Sequence, residues 1–287
     1  MDLTRKSEIK LLLKKYNAKP EKYLGQHFIL SKNALKKMAE AAEIKSNDII
    51  IEIGSGLGTL TRELAGAGAK IIAVEKDHLM ISILKETLAD YKNVKIVQAD
   101  ARKILIPELI SEIKNFSDFG NHYKIVANLP YNIATFLIRN WLKMKNSPKQ
   151  MILMIQKEVA QRICAKPPRM NLLSVSVQFY ADVKIIDYVK KESFRPKPKV
   201  DAAIIKIVPK KMTFFLRSLE KRHFFRIVKA GFSSPRKQLV GNLSKKLKIS
   251  REKLIETFQN SNILSTARAE NLSLDEWQKL ASKLIHN

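Results

Sequence analysis

Residues 127–133 read ANLPYNI, and this is where the chain gathers its chemistry-bearing side chains most densely. The segment leaves a run patterned as a buried strand, YKIVA (123–127). It then sets an amide (Asn128), a kink (Pro130) and an aromatic ring (Tyr131) side by side. Pro130 has no N–H and keeps the residue before it out of helical backbone, so nearby carbonyls can be turned toward a ligand. Two carbonyl oxygens that converge on an exocyclic amine bind both its hydrogens. That arrangement weakens conjugation of the nitrogen lone pair with the ring and aims the pair at an electrophile. A phenol ring at Tyr131 can stack on a flat base. A base gripped in this way has to leave its stack to enter the pocket. The bland alternative for the same residues is a turn after a strand.

A second group of residues supplies the electrophile's site. EIGSGLG (52–58) follows a strand pattern, and Gly54, Gly56 and Gly58 let the backbone turn sharply and approach a ligand. The spacing is G-x-G-x-G. Thr59 stands where a nicotinamide fingerprint has its third small residue, and no G-K-[ST] follows, so neither a dinucleotide site nor a P-loop is indicated. Taken alone, such a loop also serves as a packing turn. Glu75 ends the next strand, about 20 residues on, where a carboxylate can accept both hydroxyls of a ribose. Asp100 ends the third, where an acid can hold an adenine amino group. The pattern describes a nucleoside ligand with few phosphates, and S-adenosylmethionine fits it. Catalysis then reduces to positioning for in-line displacement of the sulfonium methyl, with no strong general base required.

These residues need a scaffold that brings strand ends together. Apolar runs at 49–53, 69–77, 94–100, 123–127 and 150–156 alternate with helical patterns, the signature of a parallel doubly wound sheet. Segments 181–194 and 199–210 read as two later strands joined by the proline-rich turn RPKPK. Helices are expected over 4–16 and 31–44, the latter with Ala34, Leu35, Met38 and Ala42 on one face. From about residue 209 strand signals cease, and 212–232, 236–247, 250–259 and 273–285 read as helices. The reading is therefore an α/β domain over 1–208, whose first 22 residues form a basic extension, followed by a helical domain over 209–287. That second segment holds 17 Lys and Arg against 6 Asp and Glu, a net of +11.

Across 287 residues the formal net charge is +26, from 53 Lys and Arg against 27 Asp and Glu, which predicts a polyanionic partner such as nucleic acid. Cys164 is the single cysteine, which excludes a disulfide framework and a thiolate zinc site; it reads as a small core-side hydrophobe, and no metal is expected. No apolar run approaches the roughly 20 residues of a membrane span, and the first residues show no secretory pattern, so a reducing, cytoplasmic setting is expected.

The motifs YLGQHFIL, EIGSGLG, VEKD, QADA, ANLPYNI, FRPKPKVDAA, FSSPRKQLVGNL and RAENLSLDEWQKLA, in this order, resemble those of the ribosomal RNA adenine dimethyltransferases, in particular the KsgA (RsmA) group. The likeness covers nearly the whole chain. It implies a Rossmann-like S-adenosylmethionine-dependent methyltransferase sheet with a small all-helical C-terminal domain. The implied reaction places four methyl groups on two adjacent adenosines in a hairpin loop near the 3′ end of small-subunit rRNA. The implied partner is that RNA within the immature 30S subunit, with the chain acting as a monomer away from membranes and contributing to subunit biogenesis. The positions His27, Ile29, Gly54, Gly56, Glu75, Asp100 and Asn128 match cofactor contacts. Asn128, Leu129 (through its carbonyl), Pro130 and Tyr131 match the grip on the target amine, Phe194 matches an aromatic against the target base, and Arg236 and Lys237 match an RNA-facing turn. Three positions depart from the usual pattern: Ile29 in place of leucine, His27 in place of asparagine, and Pro235 in place of a basic or polar residue. Two rivals share the fold: the large-subunit dimethyltransferases of macrolide resistance, and nucleic-acid-binding factors descended from the same family.

Overall fold

The computed structural model describes residues 1–21, 24–46, 48–104, 106, 108, 109, 123–210 and 218–285. Lys22 of the basic extension, Tyr23 of YLGQHFIL and the first residues of the helix expected over 212–232 lie outside the described residues. The chain folds as two compact units. One comprises Met1–Ala160 with Asp182–Pro209, the other Gln161–Ala181 with Lys210–Asn287. The helical unit thus also takes 161–181, a stretch the linear reading placed in the α/β segment.

The first unit is built on seven strands in the order β4–β3–β2–β5–β6–β9–β7. These are β2 (Ile49–Ile53), β3 (Lys70–Glu75), β4 (Val94–Gln98), β5 (Tyr123–Asn128), β6 (Gln150–Gln156), β7 (Ala181–Val189) and β9 (Ala202–Pro209). Burial follows from this order. All five residues of β2 are buried, because helices cover both faces of a central parallel strand, while β4 and β7 at the edges keep partly exposed residues. The first five strands pair in parallel. β9, however, runs antiparallel to β6, with Met151 opposite Ile207 and Gln156 opposite Ala202, so the sheet is mixed and not uniformly parallel. A largely buried antiparallel strand presents the same apolar run as a parallel one, and AAIIKIV carries no mark of direction.

Helices α1 (Lys6–Lys15), α2 (Lys32–Ala41), α3 (Thr59–Gly66), α4 (His78–Thr87), α5 (Ala134–Lys143) and α6 (Lys157–Ile163) accompany these strands. Helix α5, which follows the NLPY segment directly, is not among the helices expected from the sequence. Side chains cap two of the N-termini: the Ser31 hydroxyl accepts from Ala34 N–H, and Asp77 accepts from the N–H groups of Leu79 and Met80. A separate two-stranded ladder, β1 (Phe28–Ile29) against β8 (Phe194–Arg195), joins two distant segments.

The helical unit contains α7 (Leu172–Gln178), α8 (Ser218–Gly231), α9 (Leu239–Leu247), α10 (Arg251–Gln259) and α11 (Leu274–Ile285). Its core explains the inclusion of 161–181. Phe179 stacks on Phe224, with ring centroids 4.6 Å apart, and both join a cluster with Val228, Leu243, Phe258 and Trp277. Gly231 allows the close crossing of α8 and α11, since a Cβ there would lie 2.4 Å from the Trp277 ring. No helix among the described residues is long and apolar enough to cross a membrane.

β5 is anchored at its start by a buried ion pair. Lys124 Nζ lies 2.7 Å from Asp48 Oδ2, with the two side chains 8% and 9% exposed. It also donates to the carbonyls of Ala42 (2.8 Å) and Glu43 (2.7 Å), which satisfies the C-terminal end of α2. Lys124→Met should therefore cost about 3–5 kcal/mol, the scale for leaving one partner of a buried pair uncompensated. Urea unfolding checks this, and a loss under 1 kcal/mol would mean that water reaches Asp48.

Candidate active site

The carboxyl ends of β2, β3 and β5 meet where the strand order reverses, the position at which open α/β sheets hold ligands. A cleft opens there between the glycine loop and the NLPY segment. Gly54, Gly56, Glu75, Asp100, Asn128, Pro130 and His27 all line it. In the loop, Gly54, Gly56 and Gly58 have φ of 74°, 56° and 85°, a left-handed run that side chains with a Cβ resist. Glu75 holds the loop in place: Oε2 accepts from Gly56 N–H at 2.9 Å, while Oε1 accepts from the N–H groups of Lys76 (2.7 Å) and Asp77 (3.0 Å). Burial raises its pKa, and the three N–H donors oppose that rise. Asp100 lies two residues past the end of β4. Arg102, through both Nε and a terminal nitrogen, holds its carboxyl well below the usual range, and Lys76 assists at 3.2 Å.

Sequence reasoning passed over Glu52 and Gln26. Glu52 sits inside β2 at 2% exposure and accepts from the Thr61 hydroxyl at 2.5 Å. Burial pushes its pKa up to about 8, so it is largely protonated at neutral pH. An acid within an otherwise apolar strand, IIIEI, was the available signal. Gln26 donates to Asp77 Oδ2 at 2.9 Å and accepts from Glu21 N–H, which ties the 24–28 segment to the start of α4.

Across the cleft, Asn128 is the last residue of β5. Its Nδ2 donates to the His27 carbonyl at 3.0 Å, so the amide's oxygen end is the acceptor it can present. Leu129 N–H donates to the Met154 carbonyl, which extends the β5–β6 ladder and fixes that peptide. Pro130 packs against Gly25, where an added Cβ would lie 3.3 Å from the proline ring. The Tyr131 ring faces the His27 ring at 5.7 Å with a 32° tilt. Its hydroxyl is buried with no hydrogen-bond partner, and burial, with Glu158 and Asp201 nearby, pushes its pKa up to about 12.

Ile29 and Phe194 occupy a different environment. They face each other across the β1–β8 ladder at 4% and 2% exposure, inside the core cluster with Met154, Val189 and Ile204, and neither lines the cleft. Arg236 and Lys237 are exposed on the turn between α8 and α9 of the helical unit.

A left-handed glycine loop, an acid ending the following strand and an amide ending the central strand, all on the rim of a Rossmann-like sheet, define the class of α/β methyltransferase folds. The dimethyladenosine transferase of Plasmodium falciparum superposes with a TM-score of 0.74 at 26% identity, covering 90% of this chain and 97% of that one. The 23S rRNA methyltransferase ErmE shares the fold, with a TM-score of 0.73 at 21% identity over 90% of this chain and 99% of that one. The ribosomal RNA adenine dimethylase family profile matches residues 17–286, and the chain belongs to that family. Its relatives include proteins named ribosomal RNA small subunit methyltransferase A. The one from Dehalococcoides mccartyi is 37% identical over 98% of this chain and 94% of its own length, and the one from Clostridium botulinum 38% identical over 95% and 96%.

Glu52 makes stability pH-dependent in a defined direction. Its folded pKa of about 8 lies above the ordinary 4.5. Between these values the folded chain keeps a proton that the unfolded chain releases, so this contribution is complete below pH 4.5 and lost as pH rises to 8. Glu52→Gln, which keeps an acceptor for Thr61, should flatten the decline. Melting temperatures across pH 5–8.5 test this, and parallel curves for the two proteins would place the titration elsewhere.

Proposed function

We propose that this chain transfers methyl groups from S-adenosylmethionine to N6 of two adjacent adenosines near the 3′ end of small-subunit rRNA. The observation that carries the reading is the Asn128 amide, tethered by its nitrogen to the His27 carbonyl at the rim of the cleft. An amide held by that end leaves its oxygen as the acceptor for a ligand, which suits an exocyclic amine. The names of the relatives matched over nearly the full chain favour the small subunit as substrate.

The residues present fit the cofactor. Glu75 lines the cleft as a buried carboxylate, the partner a ribose diol needs, and the glycine loop lets backbone approach closely. Asp100, ionised through its basic neighbours, suits an adenine amino group. When bound, S-adenosylmethionine supplies a methyl group on a sulfonium centre. Asn128 Oδ1 and the Leu129 carbonyl accept the two N6 hydrogens of the target adenine, and Tyr131 covers its ring. With both hydrogens held, the N6 lone pair would be aimed at that methyl carbon for in-line transfer, and the surplus N6 proton would leave to water. The protein's contribution is orientation and desolvation of the amine. Arg236 and Lys237 are assigned to phosphate contacts, consistent with the net +11 of residues 209–287.

Small subunits from a strain lacking this methylation, incubated with tritiated S-adenosylmethionine and mapped for label, test the reading; label in large-subunit rRNA, or binding without label, overturns it. Glu75→Gln keeps an acceptor for the loop but loses charge, and cofactor binding by calorimetry should weaken by about 2–3 kcal/mol. Unchanged affinity would remove Glu75 from the cofactor site. Asn128→Ala should slow single-turnover methylation at least about a hundredfold, the scale for losing a polar contact at the reacting centre. Binding to subunits should persist, because phosphates dominate it. A wild-type rate in this variant would contradict the amine grip.

A further inference from the structure

The β1–β8 ladder pairs Ile29 with Phe194 and Phe28 with Arg195, which brings His27 opposite Pro196. A proline has no N–H, so the backbone ladder cannot continue there in the usual way. The His27 side chain meets the proline's other polar group: Nδ1 lies 2.7 Å from the Pro196 carbonyl. A carbonyl only accepts, so Nδ1 carries the hydrogen. The same residue reaches two parts of the NLPY segment. Its carbonyl accepts from Asn128 Nδ2, and its ring lies against Tyr131. One residue therefore connects the amide, the phenol ring and the turn that follows β8.

We propose that His27 is the positioning residue of the amine grip. The Nδ1–H bond to Pro196 holds the residue 27 peptide, so that its carbonyl turns the Asn128 amide oxygen-first toward the substrate and its ring backs Tyr131. This goes beyond the cofactor contact that the family resemblance implies for position 27. It rests on the proposed reaction but makes its own claim: loss of the side-chain donor impairs methyl transfer even when the cofactor site is full.

Three variants separate the possible roles. His27→Ala removes ring and donor, His27→Phe keeps a ring face for Tyr131 without the donor, and His27→Asn keeps an N–H that can reach the Pro196 carbonyl. Single-turnover methylation is measured with saturating small subunits and saturating S-adenosylmethionine, alongside cofactor affinity by calorimetry and thermal melts. His27→Ala and His27→Phe should be slower by about tenfold or more, the consequence of a loosened reacting geometry. Their rate defect should persist at saturating S-adenosylmethionine whatever cofactor affinity calorimetry reads, and His27→Asn should recover to within about threefold of wild type. Wild-type turnover in His27→Ala, a defect explained by weaker cofactor binding, or equal rates for the Phe and Asn variants overturns the proposal. Should His27→Ala fail to fold, the Phe–Asn comparison decides alone. A wild type that binds subunits but never labels them overturns the functional reading itself. That result is distinct from a normally labelling wild type matched by its His27 variants.

Discussion

The hydrogen bond from the Asn128 amide to the His27 carbonyl is the constraint on which the site turns. The two ends of a carboxamide are nearly equal in size and opposite in hydrogen-bonding sense. Only a fixed acceptor elsewhere in the protein determines which end meets a ligand. That acceptor lies 101 residues away in sequence, in a segment held by a two-residue ladder and a ring N–H. The central sheet supplies the other half of the geometry. Asn128 ends a strand whose neighbours on both sides are parallel, and the start of that strand is tied by Lys124 and Asp48. Since the amide sits four residues along β5 from that anchor, little freedom remains in where its Cα can lie.

Glu75 and Asp100 of the cleft, and Glu52 within β2, are tuned in opposite directions by their surroundings. Burial raises the pKa of Glu52 and Glu75, while Arg102 and Lys76 draw that of Asp100 down. Glu75 spends its oxygens on three backbone N–H groups, one of them in the glycine loop, so the residue that shapes the loop is also the one that faces the cleft. This local concentration of carboxyl groups contrasts with a chain of net charge +26. The basic chain favours a polyanion, and the Glu75 and Asp100 carboxyls favour hydroxyl and amino donors of a small ligand.

The helical unit draws on two separate stretches of chain because its core needs aromatic residues from both. Phe179 lies in the excursion between α6 and β7, and it packs with Phe224 and Phe225 of α8. A boundary drawn once along the sequence divides that cluster. A boundary drawn by packing assigns the excursion to the helices.

The sequence by itself determined the strand ends and what stands on them. Glycines at alternate positions, an acid closing the next strand and N-L-P-Y after the fourth are local patterns, and each maps to the rim because apolar runs mark where strands stop. The loop's sharp turn was legible in its three glycines, and the structure realises it with a left-handed backbone that glycine adopts without strain. Only the tertiary structure decided partners that local patterning does not encode. It set β9 antiparallel, buried Ile29 and Phe194 in the core outside the cleft lining, and placed Glu52 where desolvation raises its pKa. It also brought His27 to Pro196 across 169 residues, which no periodicity of either segment records. Strand direction, side-chain facing and the choice of hydrogen-bond partner are properties of a packed pair of segments. They come into being only when both segments are in place.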